Sequence, residues 1–336
     1  LRFTLVFLTS EVQDCTISER RFDEGRTFTT KVWNAARLVL AQTTPAAASI
    51  GPQDAKDEVD RWILSRLHET IGRVLRAQEQ YRLNEALQTI YQFTWDSYCS
   101  WYLELAKSRL YGPDGPEKKT AVGIACYVLD RILRLLHPYT PFISEELWSR
   151  LNAALGRPAS LIATTKWPTL DEAPGDQDAE RRIEARIEAV RELRNIRNKY
   201  TVPPKQEIEA ILTGPDEATL APFRGADAFF KSPAMANVSK LTVGVNLPKP
   251  KGSATASFGT LQAYVPGLFD PAAEKARIEG ALAKKKPLIE GKKKKLENES
   301  FKAKAPEQWE KERASLADLE AEIAGLEKTL KELESA

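Results

Sequence analysis

Val59, Ile63, Leu67, Ile71 and Val74 recur at steps of three and four residues, so VDRWILSRLHETIGRVLRAQ (59–78) reads as an amphipathic helix with one apolar stripe. VWNAARLVL (32–40), the stretch from Asn84 to Leu110 and AVGIACYVLDRILRLLH (121–137) carry apolar residues at the same spacing. FISEELWSRL (142–151) resumes the pattern after Pro138 and Pro141, with Thr140 or Ser144 placed to cap it. The joints AQTTPAAASIGPQDAKD (41–57) and YGPDGP (111–116) are rich in proline, glycine and small residues that break the period. Several helices with short joints predict an antiparallel bundle over residues 1–175.

Residues 176–200 form a further helix with sorted charges. Ile183, Ile187, Val190 and Leu193 make its apolar stripe, and Glu184, Glu188 and Glu192 fall on the opposite side. Arg186, Arg194 and Arg197 lie within the apolar sector or at its edge. Their stems could pack on the core with the heads reaching out to water, or they could form a basic ridge facing phosphates. Past TVPPK (201–205) the period changes. EIEAILT (207–213), KLTVGV (240–245) and LQAYVP (261–266) are short and β-branched and read as strands, with the helical PDEATLAPFRGADAFFK between the first two. Residues 176–269 are therefore expected to hold the long helix and a small α+β subdomain.

In the last segment Leu316, Leu319, Ile323, Leu326, Leu330 and Leu333 are spaced 3, 4, 3, 4, 3, a heptad seam. Ile278, Leu282, Ile289 and Leu296 supply a weaker complementary stripe upstream, with ENESFKAKAP between the halves. An antiparallel coiled-coil hairpin over 270–336 follows, with arms roughly 40 Å long at ~1.5 Å per residue. Pro287 is expected to kink or interrupt its first helix, and Gly291 to weaken it. The fold class is thus mainly α: a helical bundle, a small α+β subdomain and a coiled-coil arm.

Net charge is only +2, but its distribution matters more. From Pro271 to Ala305 eleven Lys and Arg face five Glu, whereas from Pro306 to Ala336 four Lys and Arg face nine Asp and Glu. The lysines at 284–286 and 292–295 cannot all point into an apolar seam, so most project outward. That is either a solvated face or a grip on a long polyanion such as RNA, touching phosphates with little sequence information. Cys15, Cys99 and Cys126 are far apart and lack any CxxC spacing, which argues against a disulfide framework or a zinc ribbon and fits a reducing cytoplasm. No apolar run approaches the ~20 residues of a membrane span. The only methionine is Met235 and LRFTLVFL opens in mid-pattern, so a piece of a longer protein is expected.

Candidate chemistry is sparse. His68 and His137 are the only histidines, with no Cys/His cluster for a metal and no Ser/His/Asp arrangement, and His137 before Pro138 reads as a helix-terminal residue. No glycine-rich phosphate loop is present. Catalytic and metal-binding residues are accordingly expected to be none. Tyr91, Phe93, Trp95, Tyr98, Trp101 and Tyr102 crowd one helix, either as bundle core or with some exposed for base stacking. Asn34 is suited to a base edge, a cap or a buried structural bond.

KVWNAARLVL, DRWILSRL, YRLNEALQTIYQFTWDSYCSWYLELAK and LHPYTPFISEELW together resemble the anticodon-binding bundle of class I aminoacyl-tRNA synthetases for branched aliphatic amino acids. RNIRNKYTVPPKQEIEAIL resembles the segment that follows it. AYVPGLFDPAAEKARIEGAL with SFKAKAPEQWEKERASLADLEAEIAGLEKTL resembles the C-terminal arm of the valyl-tRNA synthetase family. The matches arrive in order and cover nearly the whole chain. The resemblance implies a tRNA-binding part that does no chemistry itself. The catalytic and editing domains would stand elsewhere on the same polypeptide, where valine is activated with ATP and Mg and joined to its tRNA. It also implies a cytoplasmic, monomeric protein with valine-accepting tRNA as its partner. On the anticodon side it points to Arg26, Lys31, Trp33, Asn34 and Arg37. For the outer corner of the tRNA and its phosphates it points to Lys275, Arg277, Lys284, Lys286, Lys302, Lys304 and Arg313, with Arg194 and Arg197 as the basic ridge. The family's first arm helix is usually continuous, and Pro287 and Gly291 depart from that pattern. A freestanding tRNA-binding or adaptor protein, and a structural coiled-coil protein, are the competing readings.

Overall fold

The computed structural model describes residues 1–9, 19–170, 174–268 and 271–296, and beyond them residues 308, 309, 312, 313, 315, 316, 319, 320, 323 and 327. The chain divides into two compact units, Leu1–Ile187 and Glu188–Ala336. The division falls inside a helix rather than at the joint near residue 175.

The first unit is helical. It comprises α1 (Arg2–Leu8), α2 (Glu19–Leu40), α3 (Glu58–Glu79), α4 (Leu83–Gln92), α5 (Leu103–Leu110), α6 (Pro116–Leu136), α7 (Pro141–Ala154) and the start of α8 (Gln177–Lys199). The stripe read on α3 is its core face, with Ile63, Leu67, Ile71 and Val74 fully buried. Asp57 caps α3, its carboxylate accepting from the Val59 N–H at 2.9 Å. Thr140 occupies the cap position of α7 without a side-chain capping bond, and its hydroxyl donates to the Leu136 carbonyl instead. Ser144 is buried against His137, 2.8 Å from its Nδ1, at the end of α6. Gly123 lets α6 meet the 41–57 joint: a Cβ there would stand 2.3 Å from that of Ile50.

The aromatic helix differs from expectation. Between α4 and α5 the backbone widens into a π-helix, Phe93–Tyr102, which shifts the facing of its side chains. Phe93, Tyr98, Trp101 and Tyr102 are buried, and Tyr91 and Trp95 are half-buried. Tyr91 stacks on Trp95 at 5.7 Å, and Tyr98 on Tyr102 at 5.8 Å. Phe3, Phe7 and Phe28 close over Tyr91. Four of the six rings are core, and the half-buried Tyr91 and Trp95 are held in ring stacks.

Two buried carboxylates tie the helices. Asp60 on α3 is fully buried and accepts two bonds from Arg109, at 2.6 and 2.8 Å, and one from the Tyr102 hydroxyl at 3.0 Å. Burial pushes its carboxyl above the ordinary carboxylate range, while the guanidinium pulls the other way. Asp130 on α6 gathers Arg131, Arg134 and Arg157.

The second unit continues from α8 into a four-stranded sheet of β1 (Ile208–Gly214), β2 (Val238–Val245), β3 (Ala254–Phe258) and β4 (Leu261–Val265), in the order β2-β1-β4-β3. β1 pairs parallel with β2 and antiparallel with β4, and β3 with β4 antiparallel. The short helices α9 (Glu217–Leu220) and α10 (Asp227–Lys231) fill the crossover. β3 was not anticipated. Its signal is the Gly259–Thr260 turn, where glycine at φ +55° opens a two-residue hairpin.

The last described element is α11, Pro271–Leu296. It continues through Pro287, so of the kink or interruption expected there the interruption does not occur. Pro287 and Gly291 both lie exposed, as does Ala283, whose carbonyl loses its partner to the proline. Water can serve that carbonyl, and the neighbouring Ala, Leu, Lys and Glu favour helix. Leu316 and Leu319 are half-buried and Ile323 is buried; Leu326, Leu330, Leu333 and the ENESFKAKAP joint lie outside the described residues.

Removing the Asp60 carboxylate strands Arg109 in a partly buried site. Asp60→Ala is expected to cost about 3–5 kcal/mol in urea unfolding, and Tyr102→Phe, which removes one bond, about 1 kcal/mol.

Candidate nucleic-acid interface

The anticodon-side residues sit on α2. At 100° per residue Arg26, Thr30, Trp33 and Arg37 share a narrow stripe, with Asn34 beside it. Arg26, Asn34 and Arg37 are exposed and Trp33 is half-buried. Asn34 therefore neither caps a helix nor makes a buried bond. Arg26 pairs with Asp23 at 3.2 Å. Lys31 turns away from the stripe: its ammonium donates to Ser100 Oγ at 2.8 Å and lies 3.9 Å from the Trp95 ring centre, so it binds α2 to the π-helix. Arg150 on α7, which sequence reasoning passed over, lies 5.3 Å from the Trp33 ring and pairs with Glu146. Its nearness to Trp33 is purely tertiary, from the packing of α2 on α7, and leaves no local signal.

The ridge on α8 is corrected. Arg197 is buried, its guanidinium donating to the carbonyls of Ala236, Pro203 and Gln206. Arg194 donates to the carbonyls of Met235 and Ala234. Arg186 is buried against Glu58. Arg186 and Arg197 are buried and Arg194 is half-buried, and Arg194 and Arg197 hold backbone of the loops around the sheet. The helical period that exposed them to view cannot reveal backbone acceptors brought in from residues some 40 positions away.

On the arm, Lys284 and Lys294 are exposed. Lys286 pairs with Glu327 at 3.0 Å, Lys293 with Glu320 at 2.8 Å, and Lys292 and Lys295 both bond Glu312. These two lysines hold the Glu312 carboxyl down to about 2. Trp309 donates its indole N–H to the Leu296 carbonyl at 3.2 Å, and Arg313 lies over the Trp309 ring at 5.6 Å. The backbone at Lys275 and Arg277 belongs to α11, their side chains are not among those described, and Lys302 and Lys304 lie outside the described residues.

No reactive centre emerges among the described residues. Burial pushes the Cys99 thiol up to about 12 and Cys126 to about 11, so neither is a nucleophile near neutrality. Cys15 lies outside the described residues. No group of three His, Cys, Asp or Glu is placed to hold a metal ion, and no helix is long and apolar enough to cross a membrane, among the described residues.

Comparison with known proteins defines the class. Residues 60–212 match the anticodon-binding domain of tRNA ligase, and residues 270–334 match the valyl tRNA synthetase tRNA binding arm. A valine–tRNA ligase from Syntrophotalea carbinolica is 35% identical over 99% of this chain, and one from Geobacter sulfurreducens is 36% identical over 98%. The chain belongs to the valine–tRNA ligase family. It spans 37% and 38% of the length of those two relatives. A solved LeuRS–tRNA complex from Agrobacterium radiobacter overlays 63% of this chain and 21% of its own at TM-score 0.38 and 20% identity, too distant a likeness to argue from.

The Glu312 bonds set a pH dependence. A carboxyl depressed from 4.5 to about 2 on folding contributes stability that is present in full above about 4.5 and is lost as pH falls towards 2. Amide-exchange protection of α11 is expected to fall across that window more steeply in the wild-type chain than in Glu312→Gln.

Proposed function

We propose that this chain is the tRNA-binding portion of a valine–tRNA ligase. The single observation that carries the reading is the ordered pair of matches, an anticodon-binding domain followed by the arm of valyl-tRNA synthetases. Trp33, Asn34 and Arg37 on the outer stripe of α2 meet the anticodon loop, with Arg26 further along it and Arg150 supporting Trp33. Lys31 acts indirectly by seating α2. The arm grips the outer corner of the tRNA through phosphates, and its basic side is α11.

The arm is an antiparallel coiled-coil hairpin in this reading. The pairs Lys286–Glu327 and Lys293–Glu320 support it, because one residue number rises by seven as the other falls by seven. Lys284 is free to meet phosphate, and Lys286 can do so only by leaving Glu327. Lys275, Arg277, Lys302, Lys304 and Arg313 are further phosphate contacts in this reading. The whole ligase activates valine with ATP and Mg and esterifies it to its tRNA in the cytoplasm, as a monomer. Those steps belong to catalytic and editing domains outside this stretch, and the chain alone is non-catalytic.

Binding to valine tRNA, isoleucine tRNA and an anticodon-mutated valine tRNA at two salt concentrations tests the reading. About six phosphate contacts give a slope near −4 to −5 in log K against log salt. Weaker binding of the mutated tRNA, and of wild-type tRNA to Asn34→Ala or Arg37→Ala, is expected. Absence of binding at low salt overturns the reading and leaves the arm a structural coiled coil.

A further inference from the structure

Large apolar side chains are left open to solvent at one end of the bundle. Phe142 is 89% exposed at the start of α7 and Tyr81 is 89% exposed in the α3–α4 turn, with Leu83 at 51% beside it and Leu5 on α1. Tyr81 and Leu83 share the α3–α4 turn, and Tyr139 joins that turn to the start of α7. Phe142 and Tyr139 line a groove of about 600 Å³ with Phe3 of α1 and Phe22 and Gly25 of α2. The Tyr139 hydroxyl reaches the Leu83 carbonyl at 3.4 Å. Tyr81 takes the left-handed conformation, φ 58°, where the Arg82 N–H returns to the Ala77 carbonyl. Glycine is the relaxed residue for such a turn.

Exposed apolar side chains gathered at one end of a bundle mark a protein contact. Nucleic acid is disfavoured because Phe3, Phe22, Pro141, Phe142 and Ile143 make the lining mostly apolar and Arg2 donates to the Pro138 carbonyl. Nearly two thirds of each valine–tRNA ligase relative has no counterpart in this chain. That remaining body supplies a partner large enough to cover the surface.

We propose that the bundle end formed by Tyr81, Leu83, Tyr139 and Phe142 is the face that docks the remaining body of the ligase. This deepens the functional reading above, since it assigns the surface by which the tRNA-binding portion is held to the rest of the enzyme. The α2 stripe starts beside this face at Arg26 and leads away from it to Arg37, so docking leaves the Trp33–Arg37 end open.

The test is hydroxyl-radical labelling of two proteins. One is this chain, and the other is the Syntrophotalea carbinolica ligase with its matching stretch replaced by this chain. Tyr81, Leu83 and Phe142 are expected to label at least fivefold more slowly in the whole ligase. Tyr111, 57% exposed at the other end of α6 and about 30 Å away by helix length, is expected to label equally in both. Equal labelling of the first three in both proteins overturns the proposal. So does protection that appears in the isolated chain only at high protein concentration, which assigns the face to a second copy, or only with tRNA, which assigns it to RNA. A second measurement needs no chimaera: Leu83→Ser with Phe142→Ser should at least halve the fluorescence of an apolar dye bound to the isolated chain at unchanged melting temperature. Unchanged dye binding also overturns the proposal. A chain that fails to bind tRNA while its face is protected in the ligase loses the functional reading and keeps this one.

Discussion

The helical unit is organised around a charge that has nowhere else to go. Asp60 sits on the core side of α3 among fully buried aliphatic residues, and a carboxylate there is tolerable only while Arg109 and Tyr102 hold it. Tyr102 closes the π-helix and Arg109 lies on α5, so one carboxylate determines how that whole run meets α3. The aromatic stacks then follow, because the π-helix seats Tyr98 and Tyr102 inside, while Tyr91 at the end of α4 meets α1 and α2 and Trp95 meets α2. Lys31 completes the arrangement from α2. The stripe that carries Trp33 and Arg37 is thereby set on a rigid support.

The helices and their core faces were legible because burial in a bundle repeats with the helical period. Ile63, Leu67, Ile71 and Val74 could be assigned from spacing alone. Where the chain departed from that reading, a single local rule had been applied to a residue whose partner is remote. Arg197 lies on an apolar face because three backbone carbonyls meet it there, and Lys31 is drawn inward by Ser100 and Trp95. β3 was missed because ATASF is short and weakly apolar, although its glycine turn announces a hairpin. Pro287 predicts a kink or an interruption, yet the helix continues through it, because it falls on the open side of α11, where a carbonyl released from the ladder can be hydrated.

The candidate site was legible in part. The family resemblance points to Arg26, Asn34 and Arg37, and only the structure shows them exposed on α2, whereas the place of Arg150 depends on how α7 lies along α2. The π-helix has no sequence rule of its own here. It shows only in the backbone, and it turns four of its five rings into the bundle core.

The lysine–glutamate pairs of the arm have an electrostatic consequence for any polyanion that lands there. Lys286, Lys292, Lys293 and Lys295 already carry carboxylates attached to the same chain, so these are tethered counterions that dilution cannot remove. A phosphate arriving at one of these lysines displaces a group that stays close by and competes to return. Cations condensed on the RNA are still released, but the freed carboxylate nearby offsets part of that gain. The arm's grip is therefore set by its unpaired cations, and its lysine count overstates the charge that an RNA backbone meets.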